Sequence, residues 1–398
     1  MNNSPGLYNV NGKYFTSKVL AFLYATTLDD TGIPVNINKN LTLYYYDEVW
    51  DSAILNYRTE QDISLEQHYK VRAQQIRDNY DYVILNFSGG ADSTTILETF
   101  IKNGIKLDEV YVRWPKKVLG SSIYTPNNID KSPSNMLSEW DYSVLPKLNW
   151  LKVNHPEIKI TVDDWVETIN SCVIDDDLIL KQNNNFGLAN YGFSEIVSES
   201  TVLLENKGKR VANIFGIDKP IILYIPENDS YYTLFTDIAL MNSGFQHAHG
   251  KADPANRVNF YYAVDYPQIT IARAHKVAQY IKSNNLSNWV NRNIVKNCTE
   301  TQLKSVLKYV SKISDSICYP NWDSNTFQVD KDLNINKLYH PWFHYVYNSI
   351  EFEAKNELLK RRIHNISHGI KDKFRNDIDN KMISLKAVSS KLFKLNVY

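Results

Sequence analysis

The stretch YVILNFSGGADSTTILETF, Tyr82 to Phe100, decides how the rest of the chain is read. It opens as an apolar run of strand length, Tyr82–Phe87, breaks at Gly89-Gly90, and resumes from Ser93 to Asn103 with apolar residues at helical spacing. A strand that feeds a helix puts the intervening turn at the strand's carboxyl end, where parallel sheets bind ligands. Gly89 and Gly90 let the backbone turn sharply and let an anion approach the amides without meeting a Cβ. The first helical turn adds N–H groups and the positive end of the helix dipole. Ser88 and Ser93 add hydroxyls. Asp92 repels a phosphate, and it suits the turn if a divalent cation lies between them. Mg²⁺ commonly uses one or two carboxylates together with phosphate oxygens. The alternative is a plain turn whose Ser or Asp caps the helix, although a cap needs neither two glycines nor two hydroxyls.

Outward from this stretch the pattern alternates. Strands are expected at Tyr82–Phe87, Glu109–Arg113, Ile158–Val162 and Val211–Phe215, with Ile221–Ile225 as a candidate fifth. Helices are expected at Ser93–Asn103, closed by Gly104, and at Ser138–Asn154 and Phe193–Asn206. Such alternation predicts an α/β fold with a parallel sheet covered on both faces and right-handed crossovers. Three regions follow: an N-terminal α+β extension (1–80), the sheet-bearing core (81–225) and a mainly helical C-terminal region (226–398). Helical spacing marks Tyr14–Thr27 and Leu65–Asn79 in the first, and Ile269–Ser283, Thr301–Ser314, Ile350–Asn365 and Ile370–Leu395 in the last.

Bulk properties narrow the function. Of 398 residues, 43% are hydrophobic and 22% charged, as in ordinary globular proteins. Lys+Arg and Asp+Glu each number 44, so no net field recruits nucleic acid or an anionic membrane. Residues 351–398 carry 11 Lys/Arg against 6 Asp/Glu, which reads as a solvated helix face or as a polyanion-binding one. Cys172, Cys298 and Cys318 lie far apart, which argues against a disulfide framework or structural zinc and for a reducing compartment. MNNSPGLYNV lacks the pattern of a signal peptide, and no apolar run approaches the roughly 20 residues of a membrane span. A soluble, cytoplasmic protein is expected.

The turn lacks the GxxxxGK[ST] and GxGxxG patterns. SGGADS (88–93) resembles the SGGxDS PP-loop of the ATP pyrophosphatase superfamily, which has the adenine nucleotide alpha hydrolase-like (HUP, Rossmann-like) fold. A closer resemblance covers most of the chain. It rests on GKYFTSKVLAFLYA, YKVRAQQIRDNYDYVILNFSGGADS, NIFGIDKP, NFYYAVDYPQITIARAHKVAQYI and YPNWDSNTFQVDK. These look like PP-loop proteins common in phages and large viruses, labelled sulfonucleotide reductase-like or asparagine synthetase-like, which would place this one in a host cytoplasm.

The resemblance implies ATP and Mg²⁺ as cofactors, with Ser88, Gly89, Gly90, Asp92 and Ser93 gripping the pyrophosphate end of ATP and Asp92 holding the metal. It implies cleavage of ATP to AMP and pyrophosphate. A substrate oxygen attacks the α-phosphorus, and ammonia, an amine or sulfide then displaces AMP. A cation should approach the leaving pyrophosphate. Lys219, in GIDKP (216–220) after the strand Val211–Phe215, is the candidate, with Asp218 orienting it or binding a second metal. The alternative is a surface turn. In the superfamily the end of the second core strand lies beside adenine, so backbone groups of Val112, Arg113 and Trp114 are expected to read the base. Arg113 is expected on phosphate or ribose, or in a structural role.

Weaker candidates are the HxH pair His247 and His249 with Asp253, His340 with His344, and Asp175-Asp176-Asp177. Asp265 and His275 are candidates for a second-substrate pocket. YPNWD (319–323) reads as core or as an aromatic lid. The leading expectation is an AMP-forming ligase that acts on ATP and a second substrate. The basic C-terminal segment suits a nucleotide or nucleic-acid acceptor. No glutaminase is visible, since Met1 precedes Asn2 rather than Cys or Ser. The other readings are sulfur chemistry of the reductase or thiolation type, for which Cys318 is poorly placed, and a nucleotide-binding module without turnover.

Overall fold

A computed structural model describes residues 7–16, 18–28, 34–37, 40–58, 62–114, 139–164, 198–216, 219–237, 257–297, 300–323, 326, 374–377, 382–385 and 388–397. In chain order its elements begin with β1 (Leu7–Val10), β2 (Lys13–Phe15), α1 (Lys18–Ala25), β3 (Thr26–Leu28), β4 (Pro34–Ile37), β5 (Leu41–Tyr44), α2 (Asp47–Asn56) and α3 (Leu65–Asn79). The core follows with β6 (Tyr82–Asn86), α4 (Ala91–Lys102), β7 (Glu109–Arg113), a π-helical turn (Trp140–Val144), α5 (Leu145–Asn154), β8 (Lys159–Asp163), α6 (Glu199–Glu205) and β9 (Val211–Phe215). Beyond it lie β10 (Ile221–Ile225), β11 (Ser230–Leu234), β12 (Arg257–Asn259), α7 (Pro267–Ser283), α8 (Arg292–Asn297), α9 (Glu300–Cys318), β13 (Phe374–Asp377), β14 (Met382–Leu385) and β15 (Phe393–Leu395).

The central sheet has five parallel strands in the order β12-β9-β6-β7-β8. Numbered by appearance among themselves, the strands run 3-2-1-4-5 from β8 to β12. The chain leaves β6 for β7 on one side and later returns to β9 on the other. That reversal opens a crevice at the carboxyl ends of β6 and β9.

The two faces of this sheet differ. Val83, Leu85, Val110, Val112, Ala212 and Ile214 share one face and are buried. The other face carries Asn86, Glu109, Tyr111, Asn213 and Arg257. There α6 and its N-cap supply hydroxyls. Ser198 donates to Glu109, and Thr201 Oγ1 donates to Asn213 Oδ1 at 3.2 Å. Ser198, Glu109, Thr201 and Asn213 thereby each find a partner, which makes their burial tolerable.

Helix α3 begins with a capping box, with Gln67 N on Ser64 Oγ at 3.2 Å and Ser64 N on Gln67 Oε1 at 3.0 Å. It packs on α4, and α7 packs on α3, α2 and α9. The N- and C-terminal parts also meet. β1 lies between β2 and β5, Leu43 N donates to Ser389 O at 2.9 Å, and the Trp50 ring packs tilted against Phe235 with centroids 4.8 Å apart.

Besides Tyr14–Thr27, whose helix is confined to Lys18–Ala25 between the strands β2 and β3, two expectations need correction. Ile221–Ile225 is not the fifth parallel strand; β10 pairs antiparallel with β11 and, through it, β15. Residues 216–220 are too few for a parallel crossover, which needs a dozen or more, whereas the turn at 226–229 makes a hairpin. The fifth strand is β12, so the parallel sheet draws on residues beyond 225. The second correction concerns Ile370–Leu395, whose described residues form β13, β14 and β15 rather than helix. Asn376, Asp377, Asp379 and Asn380 favour turns over helix interiors. Ile350–Asn365 lies outside the described residues.

Candidate functional site at the carboxyl edge of the sheet

The turn after β6 lies at the reversal point. Phe87 N donates to Tyr111 O at 2.8 Å, so the chain leaves the sheet only at Ser88. Gly89 has φ +80°, and a Cβ there would sit 2.9 Å from Val144 Cγ2. Both the backbone angle and the π-turn packed against it demand glycine. The N-cap of α4 is Gly90, and no side chain caps the helix. This differs from the plain Ser or Asp cap, and the positive end of the helix dipole has no side chain capping it. The hydroxyls brace the turn instead. Ser88 N donates to Ser93 Oγ at 3.2 Å, the two Oγ atoms lie 3.3 Å apart, and Ser93 Oγ donates to Gly90 O at 3.2 Å.

The turn after β9 presses against this helix. A Cβ on Gly216 would meet Ile96 Cδ1 at 2.8 Å and Asp92 Cβ at 3.2 Å. Lys219 follows. Its Nζ lies 2.8 Å from Asp315 Oδ1 and donates to Ser311 Oγ at 3.1 Å, while Tyr262 OH donates to Lys219 O at 2.5 Å. Asp92 and Lys219 therefore stand on the two lips of one crevice. Asp218 lies outside the described residues.

Asp92 is half-buried, and its Oδ1 accepts a hydrogen bond from Tyr319 OH. Arg273 Nη2 donates to the same phenol oxygen at 2.8 Å. The Arg273 guanidinium is buried, 3.9 Å from the Tyr261 ring centroid and 5.2 Å from that of Tyr319. Tyr261 OH donates to Asp92 O at 2.9 Å, and Tyr69 OH donates to Cys318 O. Burial, followed by the pull of Arg273 in the other direction, leaves the Tyr319 phenol well above its ordinary range, so it serves as a neutral donor. Arg273, Asp315 and Ser311 were not singled out in the sequence, and Tyr319 was read only as core or lid within YPNWD. Signals existed: an Arg within the mostly apolar run Ile269–Ala274, and residues 311, 315 and 319 at fourfold spacing.

Val112 and Trp114 are buried at the end of β7. Trp114 N donates to Asp163 O at 2.9 Å, so this amide is used within the sheet rather than offered to a base. The Trp114 ring packs on Trp140, with centroids 5.4 Å apart. Arg113 lies over the Phe215 ring at 5.7 Å, as does Arg257. Burial pulls the Arg113 pKa below its ordinary range, and it stays a cation.

The second-pocket candidates both contact neighbouring elements. Asp265 Oδ2 pairs with Arg72 Nη1 at 2.9 Å, and His275 stacks on Tyr57 at 4.2 Å. Tyr319 of YPNWD is fully buried, which favours the core reading, yet its hydroxyl reaches Asp92. His247, His249, Asp253, His340, His344 and Asp175–Asp177 lie outside the described residues.

Among the described residues no group of three His, Cys, Asp or Glu could hold a metal. A single carboxylate beside an uncapped helix start still suits Mg²⁺ that arrives with phosphates, since this ion keeps waters and phosphate oxygens as most of its ligands. Cys318 is fully buried, and burial pushes its thiol up, which disfavours a thiolate. No described helix is long and apolar enough to cross a membrane. The chain matches no family model, no curated protein and no solved structure.

Proposed function

We propose that the protein is an ATP-dependent adenylating enzyme of the PP-loop type, and that the crevice between the turns after β6 and β9 takes ATP. One observation carries this reading. The SGGADS turn stands at the reversal point of the strand order, with no side chain capping the helix behind it. The amides of Gly89 to Ser93 would cradle the β- and γ-phosphates. Asp92 would hold Mg²⁺, which supplies charge neutralisation at the phosphates. Lys219 would stabilise the charge that develops on the leaving pyrophosphate, sharing its ammonium with Asp315. A substrate oxygen attacks the α-phosphorus, the bond to the bridging α–β oxygen breaks, and pyrophosphate departs with the electron pair. Ammonia or an amine then attacks the activated carbon, and AMP leaves with the substrate oxygen.

The inert surroundings of Cys318 weigh against sulfur transfer through that residue. The test is incubation with α-labelled ATP and Mg²⁺, with and without a cell extract as a source of acceptor. AMP together with pyrophosphate is expected. ATP bound without turnover across broad substrate pools would favour a binding module instead, and failure to bind ATP would end both readings.

A further inference from the structure

An acid inside a phosphate-binding turn has to be held so that it serves a cation without repelling the anion. Asp92 is held by a partner 227 positions away. The chain of contacts is short: Arg273 Nη2 to Tyr319 OH at 2.8 Å, and Tyr319 OH on to Asp92 Oδ1. Each link is fixed. Arg273 and Tyr319 are each about 1% exposed, and the guanidinium stacks on Tyr261, which itself bonds Asp92 O at 2.9 Å. The carboxylate and the backbone of one residue are thus gripped by two phenols that flank one buried cation. Tyr319 also follows α9 in register with Ser311 and Asp315, which hold Lys219. One helix face, read every fourth residue, reaches both lips of the crevice.

The geometry points to Tyr319 and Arg273 as positioning residues that set the Asp92 carboxylate for a divalent cation carried by the nucleotide. Asp92 Oδ1 is occupied by the phenol, so the carboxylate is held in one orientation. The buried guanidinium polarises that phenol, strengthening its hydrogen bond to the carboxylate. Neither residue touches the reacting atoms. This inference rests on the adenylating reading above, and its test separates the two.

The probe is α,β-methylene-ATP, in which the α–β link cannot be cleaved, titrated calorimetrically against the full chain in Mg²⁺ and in EDTA. The wild type should bind more tightly in Mg²⁺. Tyr319→Phe should lose about tenfold of that Mg²⁺-dependent gain, the scale of one hydrogen bond to a charged group. Its affinity in EDTA should stay unchanged, which also reports that the turn is folded. If Tyr319→Phe does not pass that check, Arg273→Lys takes its place, with a smaller loss of the same gain expected. A full or enlarged Mg²⁺ gain in the variant would overturn the positioning role and leave the adenylating reading standing. A wild type that binds the analogue in neither condition would overturn both.

Discussion

At the amino edge of the central sheet, Asp108 accepts from Arg77 Nη1 at 2.5 Å, from Lys106 Nζ at 2.7 Å and from the Val83 amide at 2.8 Å. At the carboxyl edge, Asp92 takes a phenol from beyond the end of α9. The first acid is buried and its partners lie within 31 positions of it. The second is half-buried, sits in a glycine turn, and is tied to a distant helix. Both are carboxylates beside strands of one sheet. The difference lies in what the surroundings do with the charge. Two cations and an amide consume it at Asp108, which fits a structural role. A neutral phenol orients it at Asp92, which fits a role toward a ligand.

The largest contrast should come from removing each acid. Asp92→Asn keeps an oxygen for Tyr319, so its urea midpoint should stay near wild type while pyrophosphate release falls by at least about 10³-fold. Asp108→Ala should do the reverse. It strands Arg77 and the Val83 amide and costs about 3–5 kcal/mol of stability, with nucleotide affinity unchanged in the fraction that folds. Urea titrations beside a pyrophosphate assay read both, and equal stability losses would erase the distinction between the edges.

A third contrast lies away from both edges, at His275. Burial holds His275 at about 4 against an ordinary 6.5, with Asp62 opposing. The folded pKa lies below the unfolded one, so this contribution is complete above about pH 6.5. It is lost as the pH falls toward 4, by at most about 3 kcal/mol. His275→Phe keeps a ring on Tyr57 and removes the titrating site, so stability measured from pH 7 to 4 should flatten. An unchanged acid limb would mean that His275 does not set it.

Lys219→Ala should slow pyrophosphate release about 10²-fold with little change in melting temperature, and unchanged turnover would remove it from the site. The smallest effects come from glycines. Gly89→Ala should cost about 2 kcal/mol and Gly104→Ala about 1. Both have positive φ, but only Gly89 faces a neighbour, Val144. Equal losses by thermal melting would mean that the π-turn does not press on the loop.

Much of this edge was legible in advance. Leu65–Asn79, Glu109–Arg113 and Val211–Phe215 have the expected bounds, because their periodicity and end signals are local. The turn residues 88–93 were legible for the same reason. The helix expected at Thr301–Ser314 runs on to Cys318, and the missed turn holds Asp315, the partner of Lys219. Ile221–Ile225 shows the opposite failure. A short apolar run states that a strand exists and says nothing of its neighbour, and only the length of the connection before it excluded a parallel one.

By itself the amino-acid sequence determined the strand–turn–helix at 82–102, the glycines its backbone requires, and the polar groups set at its mouth. These follow from φ/ψ limits and hydrophobic period within a few residues. Only the tertiary structure decided the order β12-β9-β6-β7-β8, the recruitment of β12 as the fifth strand, and the pairing of Asp92 with Tyr319 and Lys219 with Asp315. Those depend on which distant surfaces bury best against each other, and no local pattern in a chain records that.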